Sequence, residues 1–221
     1  MNKVVNDFSI IVGTKNGSGS STANNTILRS IFKMGIPVSG KNLFPSNIQG
    51  LPTWYTIRVS RDGFTGRREI NEIVIAMNPD SFVRDLASFS PGGAFFYSDD
   101  IKLPINRADI AVYPIPVKKI VRDDPNVPTD FRELVGNMVY VGVLAQMIGI
   151  DIEKIKAALE FHFKGKQKPI AMNMGAVLAG VEWAKANFEK KDPFYLEPMN
   201  KTEGMIMADG NTAAALGSIF G

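Results

Sequence analysis

The sequence predicts an α/β domain built as a Rossmann-like layered sheet, and three observations carry that expectation. An apolar, β-branched run near the N-terminus leads through a glycine-rich turn into an amphipathic segment. Strand-like and helical stretches then alternate as far as Tyr113, and beyond Thr129 the chain turns helical.

The elements follow in order. Residues 7–12 contain Phe-Ser-Ile-Ile-Val, the near-continuous apolar pattern of a strand buried on both faces of a parallel sheet. Gly13 ends it, and residues 14–22 form a loop of small polar residues. Residues 23–34 place Ile27, Leu28 and Ile31 at helical spacing before Gly35 stops the helix. Pro37-Val38 opens a second extended piece, residues 54–60 alternate as a strand, and Asp62-Gly63 marks a turn. Residues 70–77 repeat the buried-strand pattern, and Asn78-Pro79-Asp80 is suited to cap a helix running to about Phe89. Residues 92–97 and 110–113 are further strands. In the second half Thr129 or Asp130 caps a helix with Phe131, Leu134, Val135, Met138 and Val139 on one face, and its continuation to Gly149 is apolar all round. Asp151 caps the next helix, with Ile152, Ile155, Leu159 and Phe163 inward. A last helix spans 176–190 with Val177, Leu178, Val181 and Trp183. Residues 1–190 therefore read as one domain, 191–208 as a linker or arm, and 209–221 as the capped start of a further, truncated domain.

Composition narrows the function. The 221 residues are 45% hydrophobic and 21% charged, which excludes a disordered or fibrous chain. There is no cysteine, so this sequence supplies no disulfide, zinc-thiolate site or iron–sulfur ligand set. A net charge of +3 does not argue for nucleic acid, and the N-terminus lacks both a secretory apolar core and a membrane-spanning length. The expected compartment is the cytoplasm.

The glycine loop is the main candidate site, because backbone N–H groups between a strand and a helix can hold an anion at the positive end of the helix dipole. Gly13, Asn16, Gly17, Ser18, Gly19, Ser20, Ser21 and Thr22 are its candidate ligand-binding residues. The dinucleotide fingerprint fails, since Thr22 stands where its third glycine belongs, and the P-loop fails because Ser18 and Gly19 occupy its Gly-Lys positions. A ligand-free strand-to-helix turn is the alternative. His162 is the single histidine and is read as a packed or helix-surface residue. Lys164 and Lys166 lie in a three-lysine cluster that either is solvated or meets a phosphate-rich ligand such as a coenzyme A tail. Arg58, Arg61, Arg67 and Arg68 read as surface or interface residues around one turn. Residues 44–54, with two prolines and little charge, are expected to meet another subunit or domain together with Arg58. The ten methionines read as core filler.

Taken in order, the first strand, the loop Gly13-Thr-Lys-Asn-Gly17-Ser-Gly19, Gly35-Ile-Pro-Val38, Phe44-Pro-Ser-Asn-Ile-Gln-Gly50 and Tyr55-Thr-Ile-Arg-Val-Ser60 resemble the gamma domain of 2-oxoacid:ferredoxin oxidoreductases. The resemblance covers about residues 7–190. Two departures stand out: Gln49-Gly50-Leu51 replaces an arginine–glycine–glycine motif, and the first loop lacks adjacent glycines. Asp209-Gly-Asn-Thr-Ala-Ala-Ala-Leu-Gly217 is also similar to the opening of the thiamine pyrimidine-binding domain that follows the gamma domain in fused alpha chains.

The resemblance implies a component of an enzyme that oxidatively decarboxylates a 2-oxoacid on thiamine diphosphate, passes electrons through iron–sulfur clusters to ferredoxin, and forms an acyl-coenzyme A. It implies that thiamine diphosphate and the clusters lie on partner alpha and beta domains or subunits, and that this chain is structural and coenzyme A-proximal, with no catalytic residue of its own. Ferredoxin is met only indirectly, and neither nucleic acid nor membrane is a partner. A stand-alone nucleotide- or phosphate-binding sensor module and a purely structural interaction domain remain the alternative readings of the residues.

Overall fold

The computed structural model describes residues 2–44 and 51–221. Its centre is a six-stranded mixed sheet in the order β3-β4-β2-β5-β6-β7, formed by β2 (Asp7–Lys15), β3 (Val38–Leu43), β4 (Pro52–Ser60), β5 (Asn71–Ala76), β6 (Phe89–Ser98) and β7 (Ala111–Ile115). The run β2-β5-β6-β7 is parallel, whereas β4 lies antiparallel to both β2 and β3. The first strand is thus buried on both faces as its composition requires, but in a mixed sheet and not a purely parallel one.

Alternation along each strand sorts the side chains into two layers. Phe8, Ile10 and Val12 of β2 and Tyr55, Ile57 and Val59 of β4 point toward one large core, which α1 (Ser20–Lys33), α3 (Val117–Asp123), α4 (Arg132–Ile148), α5 (Ile152–His162) and α6 (Gln167–Asn187) help to close. Ile11, Val74, Ala76, Phe89 and Phe95 face the other way, into a smaller core with Phe82 of the single short helix α2 (Phe82–Ala87) and Ile101 of the crossing to β7.

The α4–α6 pair shows why the second half is so apolar. A Cβ at Gly142 would stand 1.9 Å from the Val177 carbonyl oxygen, and one at Gly180 would stand 2.3 Å from that of Val139. The two backbones therefore touch, and α4 is buried along nearly its whole length. Gly149 ends α4 in the left-handed conformation, and Asp151 caps α5 by accepting from the Glu153 N–H.

Several boundaries differ from expectation. Thr129 and Asp130 lie in a 3-10 turn, and α4 starts at Arg132 with no side-chain cap. Phe131, Leu134 and Leu178 are each about half exposed instead of inward. The last helix begins at Gln167, nine residues before Ala176, because Pro169 sits in the first turn, where no backbone N–H is needed. Ser81, not residues 78–80, is the N-cap of α2, which ends at Ala87, and Phe89 already belongs to β6. The strand pair β1 (Val4–Val5) with β8 (Phe194–Tyr195) and the helix α3 were not expected.

Residues 191–202 pack closely on the body. Asn6, at φ 53°, exchanges hydrogen bonds with the Glu197 backbone at 2.7 and 3.0 Å, and Asp192 accepts from Tyr113 Oη at 2.8 Å and pairs with Lys190 at 2.7 Å. The Met199 and Lys201 N–H groups donate to the Met34 and Gly35 carbonyls at the end of α1. The final helix, α7 (Gly210–Phe220), buries none of its residues. Among the described residues no helix is long and apolar enough to cross a membrane.

Candidate functional site

The strand-to-helix turn after β2 is shaped by its glycines. Gly17 and Gly19 adopt φ of 86° and 79°, the left-handed region that glycine enters without strain, and Gly19 starts α1 with no side-chain cap. The turn is pinned on three sides. The Asn16 N–H donates to the Leu51 carbonyl at 2.9 Å, Asn137 Nδ2 of α4 donates to the Ser18 carbonyl at 2.8 Å, and Ser20 Oγ shares a hydrogen bond with Thr14 Oγ1 at 2.8 Å.

A pocket of about 660 Å³ and another of about 350 Å³ lie near this edge of the sheet. The smaller gathers five predicted loop residues, Asn16, Gly17, Gly19, Ser20 and Ser21, with Asn24, Asn42 and Tyr55 opposite. Tyr140 Oη donates to Asn24 Oδ1 at 2.9 Å, and Tyr55 Oη donates to Asn25 Oδ1 at 3.3 Å. Burial pushes the Tyr55 phenol up to about 12 against the opposing pull of Arg29, so it stays a neutral hydroxyl. The first turn of α1 has no acidic residue. An uncapped helix start, a hydroxyl and surrounding amides form a neutral-to-positive lining suited to one anionic group.

The other predicted residues fall elsewhere. Gly13 faces α2, where a Cβ would stand 2.4 Å from Asp85 Oδ2. Ser18 does not line the pocket; its Oγ is buried without a hydrogen-bond partner among the described residues. Thr22 Oγ1 instead lies 3.3 Å from His162 Nε2 of α5, and burial together with Arg29 holds that imidazole below its ordinary value. Lys164 and Lys166 are exposed beyond α5 and do not line the pocket.

Arg58 requires a correction. It is buried beneath the connection between β4 and β5, pairs with Asp7 and donates to the Val59 carbonyl, so it is not available as a surface contact. Residues 45–50 of the expected contact loop lie outside the described residues.

The larger cleft was not foreseen. Its floor holds Asp85, which is 1% exposed and accepts from Trp54 Nε1 at 2.6 Å and Ser81 Oγ at 2.7 Å. Burial raises the Asp85 pKa, and the two hydrogen bonds and Arg84 partly offset that rise. The Arg84 guanidinium stands 4.2 Å over the Trp54 ring. Trp54 lines both pockets and forms the wall between them. Among the described residues no group of three or more His, Cys, Asp or Glu is placed to hold a metal ion.

Comparison with known proteins agrees with this architecture. The alpha subunit of 2-oxoacid:ferredoxin oxidoreductase 2 from Aeropyrum pernix is 22% identical over 97% of this chain and 39% of its own length. Ketoisovalerate oxidoreductase subunit VorA from Methanothermobacter thermautotrophicus is 29% identical over 53% of this chain and 24% of its own. The chain thus spans well under half the length of these relatives. Among solved structures, 2-oxoglutarate:ferredoxin oxidoreductase from Magnetococcus marinus, with 2-oxoglutarate, coenzyme A and succinyl-CoA bound, superposes with a TM-score of 0.84 at 25% identity, over 99% of this chain and 37% of that one. The gamma subunit of a keto/oxoacid ferredoxin oxidoreductase from Geobacter sulfurreducens shares the fold at a TM-score of 0.61 and 16% identity, over 81% of this chain and 99% of its own. Residues 9–183 match the pyruvate ferredoxin/flavodoxin oxidoreductase family, and with a layered sheet of the same kind beneath that match the chain belongs to this family of enzyme components.

Proposed function

We propose that residues 1–190 are the gamma-type domain of a thiamine diphosphate-dependent 2-oxoacid:ferredoxin oxidoreductase, cytoplasmic and inactive alone, whose 16–21 turn lies beside coenzyme A. Residues 191–208 are then the arm that leaves this domain, and 209–221 the first helix of a following one in a fused alpha chain. The observation that carries the reading is the pocket at the uncapped start of α1, lined by Asn16, Gly17, Gly19, Ser20 and Ser21. Its volume of about 350 Å³ is at the low end for small-molecule sites, so it fits a phosphate-bearing end of the coenzyme and not the whole.

The chain's own residues limit what it contributes. Without cysteine it ligates no iron–sulfur cluster, so the electron path to ferredoxin runs through partner domains or subunits. Thiamine diphosphate supplies the carbanion chemistry of decarboxylation on those partners. This chain binds and orients; Lys164 and Lys166 add positive charge on the neighbouring α5 side.

Ser21→Glu separates the ligand reading from a structural turn. A carboxylate in the first turn of α1 favours the helix dipole, so stability is unchanged or rises by about 0.5 kcal/mol, while the same charge repels a phosphate. Calorimetric titration of the assembled enzyme with coenzyme A is expected to show affinity reduced about tenfold. Unchanged affinity in the folded variant refutes the coenzyme-proximal role.

A further inference from the structure

The connection from β4 to β5, residues 61–70, crosses one face of the sheet and closes a cavity of about 20 Å³ against it. A single water needs about 10–15 Å³, so the space takes one small occupant and excludes a sulfate, a phosphate or a carboxylate. Its lining is unbalanced in charge. Lys41 of β3, Arg58 of β4, and Arg67 and Arg68 of the connection border the cavity, and no carboxylate does. Two of these cations are answered from outside it: Arg58 pairs with Asp7, and Arg68 pairs with Glu72 at 2.6 Å. Among the described residues Lys41 and Arg67 form no ion pair, which leaves a positive surplus around the space.

Lys41 and Arg67 reach solvent, so water screens part of that surplus, but Arg58 is 8% exposed and its buried Nε has no hydrogen-bond partner. An unpaired donor on a buried cation is among the costliest polar defects in a fold. The guanidinium cannot swing out to relieve it, because Asp7 and the Val59 carbonyl hold its other two nitrogens. Further donors are at hand. Ser9 Oγ accepts from Arg68 Nε at 3.4 Å and keeps its own O–H to give. Asn71 Oδ1 is also buried without a partner, while Nδ2 donates to the Glu69 carbonyl at only 3.4 Å. Turning that amide over gives up one long bond and presents its N–H to the cavity. A water would pair the orphaned donor and leave the surplus charge unanswered; a small anion answers both, through hydrogen bonds from charged donors, which are the strong kind.

We propose that this cavity is a binding site for one monatomic anion, chloride in the cell, held by Arg58 Nε, Ser9 Oγ and Asn71 Nδ2 in the field of Lys41, Arg67 and Arg68. Arg58 and Ser9 belong to the sheet and two of the cations to the connection, so the ion fastens one to the other beside the bond from Ser39 Oγ to the Thr65 carbonyl. The site shares no lining residue with the pocket at the 16–21 turn and stands independently of the coenzyme reading.

Bromide reports the site directly, because it carries the charge of chloride and scatters anomalously. Crystals of the assembled enzyme soaked in bromide are expected to show an anomalous peak within hydrogen-bond distance of Arg58 Nε. Bromide at surface positions only, with water in the cavity, overturns the proposal. In solution, tryptic cleavage after Arg67 and Arg68, measured against the other sites cut in the same digest, is expected to slow about tenfold when chloride replaces gluconate at constant ionic strength, since gluconate is too large for the cavity. Asn71→Asp brings a carboxylate to the place of the ion, and its cleavage is expected to be equally slow in both salts. Equal rates for the unsubstituted protein in the two salts, or full chloride dependence retained by Asn71→Asp, each overturns the proposal. Should Asn71→Asp not fold, the bromide peak and the salt comparison decide.

Discussion

Ile10 and Ile11 are neighbours in β2, yet they live in different environments. Ile10 is fully enclosed in the core beneath α1 and α4, while Ile11 looks into the cleft beside Trp54 and Asp85. One face of the sheet is closed by five helices over the larger core; the other holds the smaller core under α2 with the cleft beside it. The difference teaches that neighbouring positions of one strand can carry unequal packing, because alternation sends them into cores of different size.

Three perturbations sharpen or break this contrast. The largest effect is expected on the five-helix side, at Gly142→Val. The added side chain meets the Val177 carbonyl at the backbone itself, so α4 and α6 must separate, and thermal or denaturant unfolding is expected to show a loss above about 4 kcal/mol. A loss below about 1 kcal/mol would mean the helix pair is not the core's keystone. Next, Ile10→Ala is expected to cost about 4 kcal/mol and Ile11→Ala about 2 kcal/mol. Equal losses by urea titration contradict the asymmetry.

The smallest effect concerns pH on the α2 side. Burial raises the folded-state pKa of Asp85 above its ordinary 3.8, so its proton is held more firmly folded than unfolded. Stability from this group is therefore full below 3.8 and is lost as pH rises through the folded value. Asp85→Asn keeps the acceptor for Trp54 and replaces the oxygen that accepts from Ser81 Oγ by an amide without a titrating proton, and the wild-type advantage over it is expected to decline as pH increases from 3.8. A flat difference across that range contradicts the assignment.

What sequence could show followed from how local the signal was. Gly149 and Asp151 announce a helix end and a helix start within three residues, and both act so in the fold. The glycine turn was legible for the same reason, and five of its residues line one pocket. The start of α6 at Gln167 was not legible, because a proline such as Pro169 in the first turn of a helix looks the same in sequence as one that stops it. Arg58 misled because the partner that allows its burial, Asp7, lies 51 positions away. Asp85 and Trp54 are 31 apart, Asn6 and Glu197 191 apart, and no periodicity links such pairs. The one clue to Asp85 was a carboxylate on the inward side of α2, in step with Phe82, where an apolar residue would ordinarily stand.

On the proposed function this chain is a binding and organising component whose redox chemistry lies with its partners. The direct test is 2-oxoacid-dependent reduction of a viologen dye, with coenzyme A and thiamine diphosphate present, by the assembled enzyme and by the purified chain alone. The assembled enzyme is expected to reduce the dye and the chain alone to give no turnover. Turnover by the chain alone, or none by an assembly that contains it under any 2-oxoacid, contradicts the account.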